Sequence, residues 1–212
     1  MIIKYYHPFY FSPVAFTRHD VEYVWFHIPK NASTFGDEIF VNNLKFKLEY
    51  DFSIIEQTKK IVCFLRDPVD RWLSGMSQYI YFTHSKDILT NPNFVKVLFD
   101  GLCFDRHTAP QSLFLNNVKR QNLIFFDLED TNFEESLRTF ISNNITTKII
   151  PKIPKLNDTT SRPDQIEIRN ILKEKLYENQ QFQEKLQCVL VTDFILYKEL
   201  GLTVKNKLCY NI

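Results

Sequence analysis

Three short apolar runs set the fold. Glu22–Ile28 (EYVWFHI), Lys60–Leu65 (KIVCFL) and Asn122–Leu128 (NLIFFDL) are rich in β-branched and aromatic residues and read as buried strands. Helical patterns lie between and after them. In Thr34–Leu48 the apolar residues Phe35, Ile39 and Phe46 fall near helical spacing. Asp67-Pro68 reads as an N-cap followed by proline at the first helical position, opening a helix that runs to about Tyr81. Asn132–Ile141 reads as a short helix. Gln165–Leu186 and Val189–Leu200 read as two more, the second ending at Gly201. Lys148–Pro163 carries three prolines among polar residues and reads as a loop. Strands alternating with helices predict an α/β fold with a mostly parallel central sheet flanked by helices. A chain of 212 residues suits a single domain spanning 1–212.

The charge balance narrows the function. Lys plus Arg number 26 and Asp plus Glu 25, a net charge of +1. A duplex-binding protein carries a clear basic excess, so no nucleic-acid partner is expected, although one local basic pocket stays possible. The 44% hydrophobic and 24% charged content excludes wholesale disorder, and only 4 glycines exclude Gly-rich repeats. No run approaches the ~18–20 apolar residues that span a bilayer. Met1–Phe16 is broken by Lys4, His7, Pro8, Ser12 and Pro13, unlike a signal peptide, and reads as structured chain. The expected location is therefore the cytoplasm. Cys63, Cys103, Cys188 and Cys209 show no metal-ligand spacing. Cys63 and Cys188 sit in apolar runs and read as buried free thiols.

Two segments carry chemistry. In FHIPKNASTFGDE (Phe26–Glu38) a strand leads through a tight polar turn into a helix. A helix start offers unpaired N–H groups and a positive dipole end, Lys30 adds a full charge, and Ser33 and Thr34 add hydroxyl donors. The competing reading is a capped helix, with Thr34 and Asp37 as a variant capping box. The pattern GxxxxGK[ST] is absent, which argues against an ordinary ATPase or GTPase. The second segment, FLRDPVDRWLSG (Phe64–Gly75), places Arg66 at the carboxyl end of a strand, with Arg71 and Ser74 on one face of the next helix. Arg71 reads as a surface ion pair with Asp67 and Asp70. Arg66 and Ser74 read as a second phosphate site, since open α/β sheets bind ligands at the carboxyl ends of their strands. Two anion sites on one edge point to a ligand with two separated anionic groups.

HIPKNAST followed by RDPVDRWLSG resembles the two nucleotide-binding signatures of the sulfotransferases that use 3′-phosphoadenosine 5′-phosphosulfate (PAPS). The likeness is nearest to the carbohydrate enzymes of the chondroitin and heparan type. It implies a P-loop-like sulfotransferase architecture, PAPS as donor, a carbohydrate or other hydroxyl acceptor, and no metal. It assigns Lys30, Asn31, Ala32, Ser33 and Thr34 to the 5′-phosphosulfate, and Arg66 and Ser74 to the 3′-phosphate. DRHTAPQ (Asp105–Gln111) is similar to a His-x-x-Pro-Gln element of those enzymes. The segment Asn157–Arg162, followed by helices containing Asp193 and Tyr197, is similar to their C-terminal end, which adds Arg162 to the cofactor-binding set. The likeness touches residues 23 to 200, without the acceptor-facing segments and without a Golgi anchor and stem. Met76 stands where an aromatic often follows the serine.

Transfer to a hydroxyl requires stabilisation of the leaving phosphate, charge to meet the sulfuryl oxygens, and a destination for the acceptor proton. Lys30 suits the first two. Glu38, eight residues beyond Lys30 on the following helix, is the first candidate base, and His107 the second. His27 reads as structural. No HExxH motif or carboxylate cluster suggests a metal. Two other classes are weighed: a kinase-like phosphotransferase, and a catalytically silent nucleotide- or glycan-binding protein. Phe82–Asp105 serves equally as an aromatic acceptor groove or as core.

Overall fold

The structure, a computed structural model, describes residues 14–49, 59–100, 106–147, 162–206 and 208. The chain divides into two compact units that interleave in sequence. A sheet unit comprises the described residues of 12–66 and 114–157, and a helical unit comprises the described residues of 67–113 and 158–212. The predicted loop from Lys148, Cys103, Cys209 and most of the N-terminal aromatic segment lie outside the described residues.

Among the described residues the sheet unit holds five strands: β1 (Val14–Thr17), β2 (Tyr23–His27), β3 (Lys47–Glu49), β4 (Lys60–Leu65) and β5 (Leu123–Asp127). Their order is β3-β1-β2-β4-β5. The three strands predicted from the apolar runs are β2, β4 and β5, and they pair in parallel, with Val24 opposite Ile61 and Cys63 opposite Phe125. The expectation of a mostly parallel sheet needs correction. β1 and β3 add two antiparallel pairings, β1 to β2 and β1 to β3, and the sheet is mixed. Both added strands are short and have little apolar periodicity of their own. Partner strands, rather than local pattern, make them strands.

The helix predicted over Thr34–Leu48 is also shorter. It is α1 (Ser33–Asp37) continuing as a π turn over Glu38–Asn43, where Leu44 N–H reaches back to Ile39 C=O at 2.9 Å. Lys45 at φ 61° ends the helical path, and Lys47–Glu49 pairs with β1 instead. A second helix of this unit, α4 (Phe133–Asn144), is numbered after α2 (Pro68–Phe82) and α3 (Phe94–Asp100) of the helical unit. On one sheet face Trp25, Val62 and Phe64 join Ile39, Phe40, Leu137 and Ile141 in a single core. The alternate residues Val24, Phe26, Ile61, Cys63 and Leu65 are buried as well, which explains why these strands read as continuous apolar runs.

In the helical unit, α2 packs along α5 (Pro163–Glu178) and against α6 (Gln180–Glu199). The predicted break between the last two helices moves to Asn179. Its side chain accepts a hydrogen bond from Phe182 N–H at 2.9 Å and starts α6 there. Asp67 caps α2 as the sequence suggests, accepting from Val69 and Asp70 N–H at 3.0 and 3.1 Å. The same buried carboxylate accepts from the Lys205 and Asn206 N–H groups and from the Asn206 amide, tying residues 205 and 206 to the helix start. Trp72, Phe94, Phe99 and Phe182 form an aromatic core, Trp72 stacking on Phe99 at 6.0 Å. Phe94 and Phe99 of the Phe82–Asp105 segment are therefore core, whereas Phe82 is 55% exposed.

The two described cysteines differ, and one corrects the sequence reading. Cys63 is buried on β4, and burial pushes its thiol pKa up, away from thiolate formation. Cys188 is exposed on α6 because it falls on that helix's outer side between the buried Leu186 and Val189. Under native conditions a maleimide should label Cys188 and spare Cys63 until denaturant is added, read by peptide mass mapping. Labelling of Cys63 in the native protein would contradict the burial of β4.

Candidate functional site

Parallel pairing sets the candidate site. Because β2 and β4 run the same way, the turns leaving their carboxyl ends share one sheet edge. The turn after β2 is tight: Asn31 N–H bonds Ile28 C=O at 3.3 Å. Lys30 sits at φ 70° and Ala32 at φ 48°, two left-handed conformations in three residues without a glycine. Each such placement costs on the order of 1–3 kcal/mol and persists only where surroundings enforce it. Asn31 enforces it here. Its buried side chain donates to Phe64 C=O of β4 at 2.8 Å, pinning the middle of the turn to the neighbouring strand. Arg66, the residue after β4, donates from Nη1 to Lys30 C=O at 3.3 Å. Lys30, Asn31 and Arg66 are thus assembled into one cluster. Successive backbone N–H groups around left-handed residues form the concavities that hold anions.

Ala32 is the N-cap of α1, and among the described residues no side chain caps that end. The predicted capping box of Thr34 and Asp37 does not form. Asp37 turns back to the sheet, where Oδ1 accepts from Trp25 Nε1 and Oδ2 pairs with His27 Nδ1, both at 2.8 Å. Gly36 makes this close approach possible, since a Cβ there would fall inside the Trp25 indole. Ser33 is partly buried and Thr34 exposed, on the first turn of α1. Glu38 lies one residue beyond Asp37, and its carboxylate accepts from the Asn42 amide and, at 3.4 Å, from the Asn43 amide. The sequence reading missed the Trp25–Asp37–His27 network. Its signal is present: Trp25 and His27 share a strand face at i, i+2, and an aspartate follows a glycine on the next helix.

The remaining candidates belong to the helical unit. Ser74 is buried on α2, and its carbonyl accepts from Ser77 Oγ at 3.1 Å. Arg71 corrects the surface ion-pair reading. It is fully buried, and its guanidinium donates to the carbonyls of Ala109 and Arg106. Asp70 instead pairs with Arg169 at 3.0 Å. Gly75 admits the carbonyl of His107 where any Cβ would collide with it. Asp193, buried on α6, accepts from Gln111 N–H at 2.9 Å and Ser112 N–H at 2.7 Å. Burial pushes the Asp193 carboxyl pKa up, and the Arg71 charge with the hydrogen bonds from Ser112 and Gln111 pulls it back. The HTAPQ element is therefore clamped from both ends, and this places His107 against α2. Arg162 is the exposed N-cap of α5, its guanidinium 5.5 Å from the Phe82 ring centroid.

Asp193→Asn should test this clamp. The amide keeps one acceptor oxygen, turns a donor toward the second N–H, and leaves Arg71 without its anionic neighbour. A loss of about 2–4 kcal/mol in denaturant unfolding is expected. Unchanged stability would mean that Asp193 does not hold the strap. No protein-family model, curated protein or solved structure matches this chain.

Proposed function

We propose that the chain is a PAPS-dependent sulfotransferase with a P-loop-like architecture, moving a sulfuryl group to a hydroxyl of a carbohydrate acceptor. The single observation that carries this reading is the bond from Arg66 to the carbonyl of Lys30. It joins two cationic residues of the two resembling motifs at one sheet edge. The strained turn at Lys30 and Ala32 supports it, because strain of this kind gathers at ligand clamps.

PAPS supplies a sulfuryl group already activated by its bond to phosphate. The chain's own part is electrostatic. Lys30 and the turn's N–H groups meet the 5′ end, where negative charge grows as the leaving phosphate departs. Arg66 offers a planar guanidinium suited to the 3′-phosphate. The roles of Ser74, His107 and Arg162 rest on the sequence resemblance.

Two measurements test the reading. Calorimetry should find 3′-phosphoadenosine 5′-phosphate (PAP) bound at least about 10-fold more tightly than AMP, because only the former offers Arg66 a charge-assisted partner. Equal affinities would remove the 3′ site. Lys30→Ala should lower transfer from labelled PAPS by about 10²–10³-fold. Its circular dichroism melt should remain that of the parent. Near-normal turnover in that variant would sink the assignment.

A further inference from the structure

We propose that His27, oriented by Asp37, is the base that takes the acceptor proton. This rests on the sulfotransferase reading and adds to it a residue that the sequence reading set aside as structural. His27 is the last residue of β2, three positions before Lys30 and on the sheet edge that carries Arg66. Its imidazole keeps 22% of its surface exposed. Asp37 Oδ2 lies 2.8 Å from Nδ1, and the ring makes no second hydrogen bond among the described residues.

The tautomer follows from the partner. A carboxylate accepts only, so in the neutral ring the hydrogen sits on Nδ1 and Nε2 carries the lone pair. The second oxygen of Asp37 is held by Trp25 Nε1, whose ring is buried, and this fixes the carboxylate in turn. A base held by a carboxylate that is itself anchored is an arrangement suited to proton abstraction from a hydroxyl. Glu38 is placed differently. Its carboxylate is engaged by Asn42 and Asn43, farther along its own helix.

The step balances. The acceptor oxygen forms a bond to sulfur, and its proton passes to His27 Nε2. The bond from sulfur to the bridging phosphate oxygen breaks, and that electron pair leaves on the phosphate of PAP. The imidazolium then returns the proton to water. Asp37 acts through His27 and is a positioning residue.

Two substitutions separate chemistry from folding. In His27→Asn the amide nitrogen stands near the place of Nδ1, so the bond to Asp37 survives while the proton acceptor is lost. In Asp37→Asn the carboxamide oxygen still accepts from Trp25, but its NH₂ faces Nδ1 and forces the hydrogen onto Nε2. Labelled PAPS with desulfated chondroitin and heparan oligosaccharides should show kcat reduced about 10²–10⁴-fold in both variants. PAP affinity by calorimetry should stay within about threefold of the parent, less than the effect of one neutral hydrogen bond. Imidazole ¹⁵N NMR should show His27 protonated at Nδ1 in the parent and at Nε2 in Asp37→Asn. Parent-like turnover in His27→Asn, an Nε2-protonated ring in the parent, or a larger loss in Glu38→Gln than in His27→Asn would each overturn the proposal. Failure of the parent to bind PAP would instead overturn the sulfotransferase reading.

Discussion

The sheet unit hangs on Trp25. Its indole stacks on Phe40 at 4.8 Å with the rings 5° apart and lies 4.6 Å from Phe64, so strand, π turn and neighbouring strand share one contact. Full burial of a ring this size removes a large apolar surface from water. Burial also obliges its N–H to find an acceptor, and Asp37 is that acceptor. Gly36 lets the helix backbone sit directly on the ring. The position of α1, and with it the exit of the Lys30 turn, therefore follows from one aromatic side chain and the groups it must satisfy. The same carboxylate that satisfies Trp25 orients His27, so core packing and site geometry are one constraint.

The helical unit shows a parallel economy with a different pair. Arg71 and Asp193 are both fully buried, and each spends its polar capacity on the backbone of residues 106–112. Buried charges cost several kcal/mol to desolvate unless they are paired and hydrogen-bonded. Here the cost is offset by satisfying the carbonyls of Arg106 and Ala109 and the first N–H groups of the short 3₁₀ helix Gln111–Leu115. The arrangement gives the HTAPQ motif a structural meaning apart from any chemistry at His107: it is an irregular strap held in a fixed path. Asp67 does similar work at the start of α2, serving at once as helix cap and as anchor for Lys205 and Asn206.

Much of this was legible in the sequence where the signal is local. The apolar runs marked β2, β4 and β5, and Asp67-Pro68 marked the start of α2 to the residue. Lys30, Ser33, Thr34 and the strand-end Arg66 were singled out by charge, hydroxyl groups and placement, whereas Asn31 and Ala32 entered only through the family resemblance. The misses share a cause. β1 and β3 exist because they pair with one another and with β2, and no local pattern announces such short strands. The end of α6 was legible at Gly201, but its start at Asn179 was not. The chain there stays amphipathic across the break, and only the cap reveals it.

What the sequence by itself determined is the set of chemical groups and their order along the chain: strands with cationic turns at their ends, and helices behind them. Tertiary structure alone decided which groups meet. Arg71 reads as a surface charge because its neighbours in sequence are Asp67 and Asp70, yet it is buried under backbone carbonyls more than thirty positions away. Asp37 reads as a cap because it follows Thr34 at capping distance, yet its partners are Trp25 and His27, ten or more residues earlier. In both cases short-range spacing offered a satisfactory partner, and burial offered one that also removed apolar surface from water. An exposed ion pair or cap contributes about 1 kcal/mol, whereas a polar group left unpaired in the core costs more, so the long-range partners win.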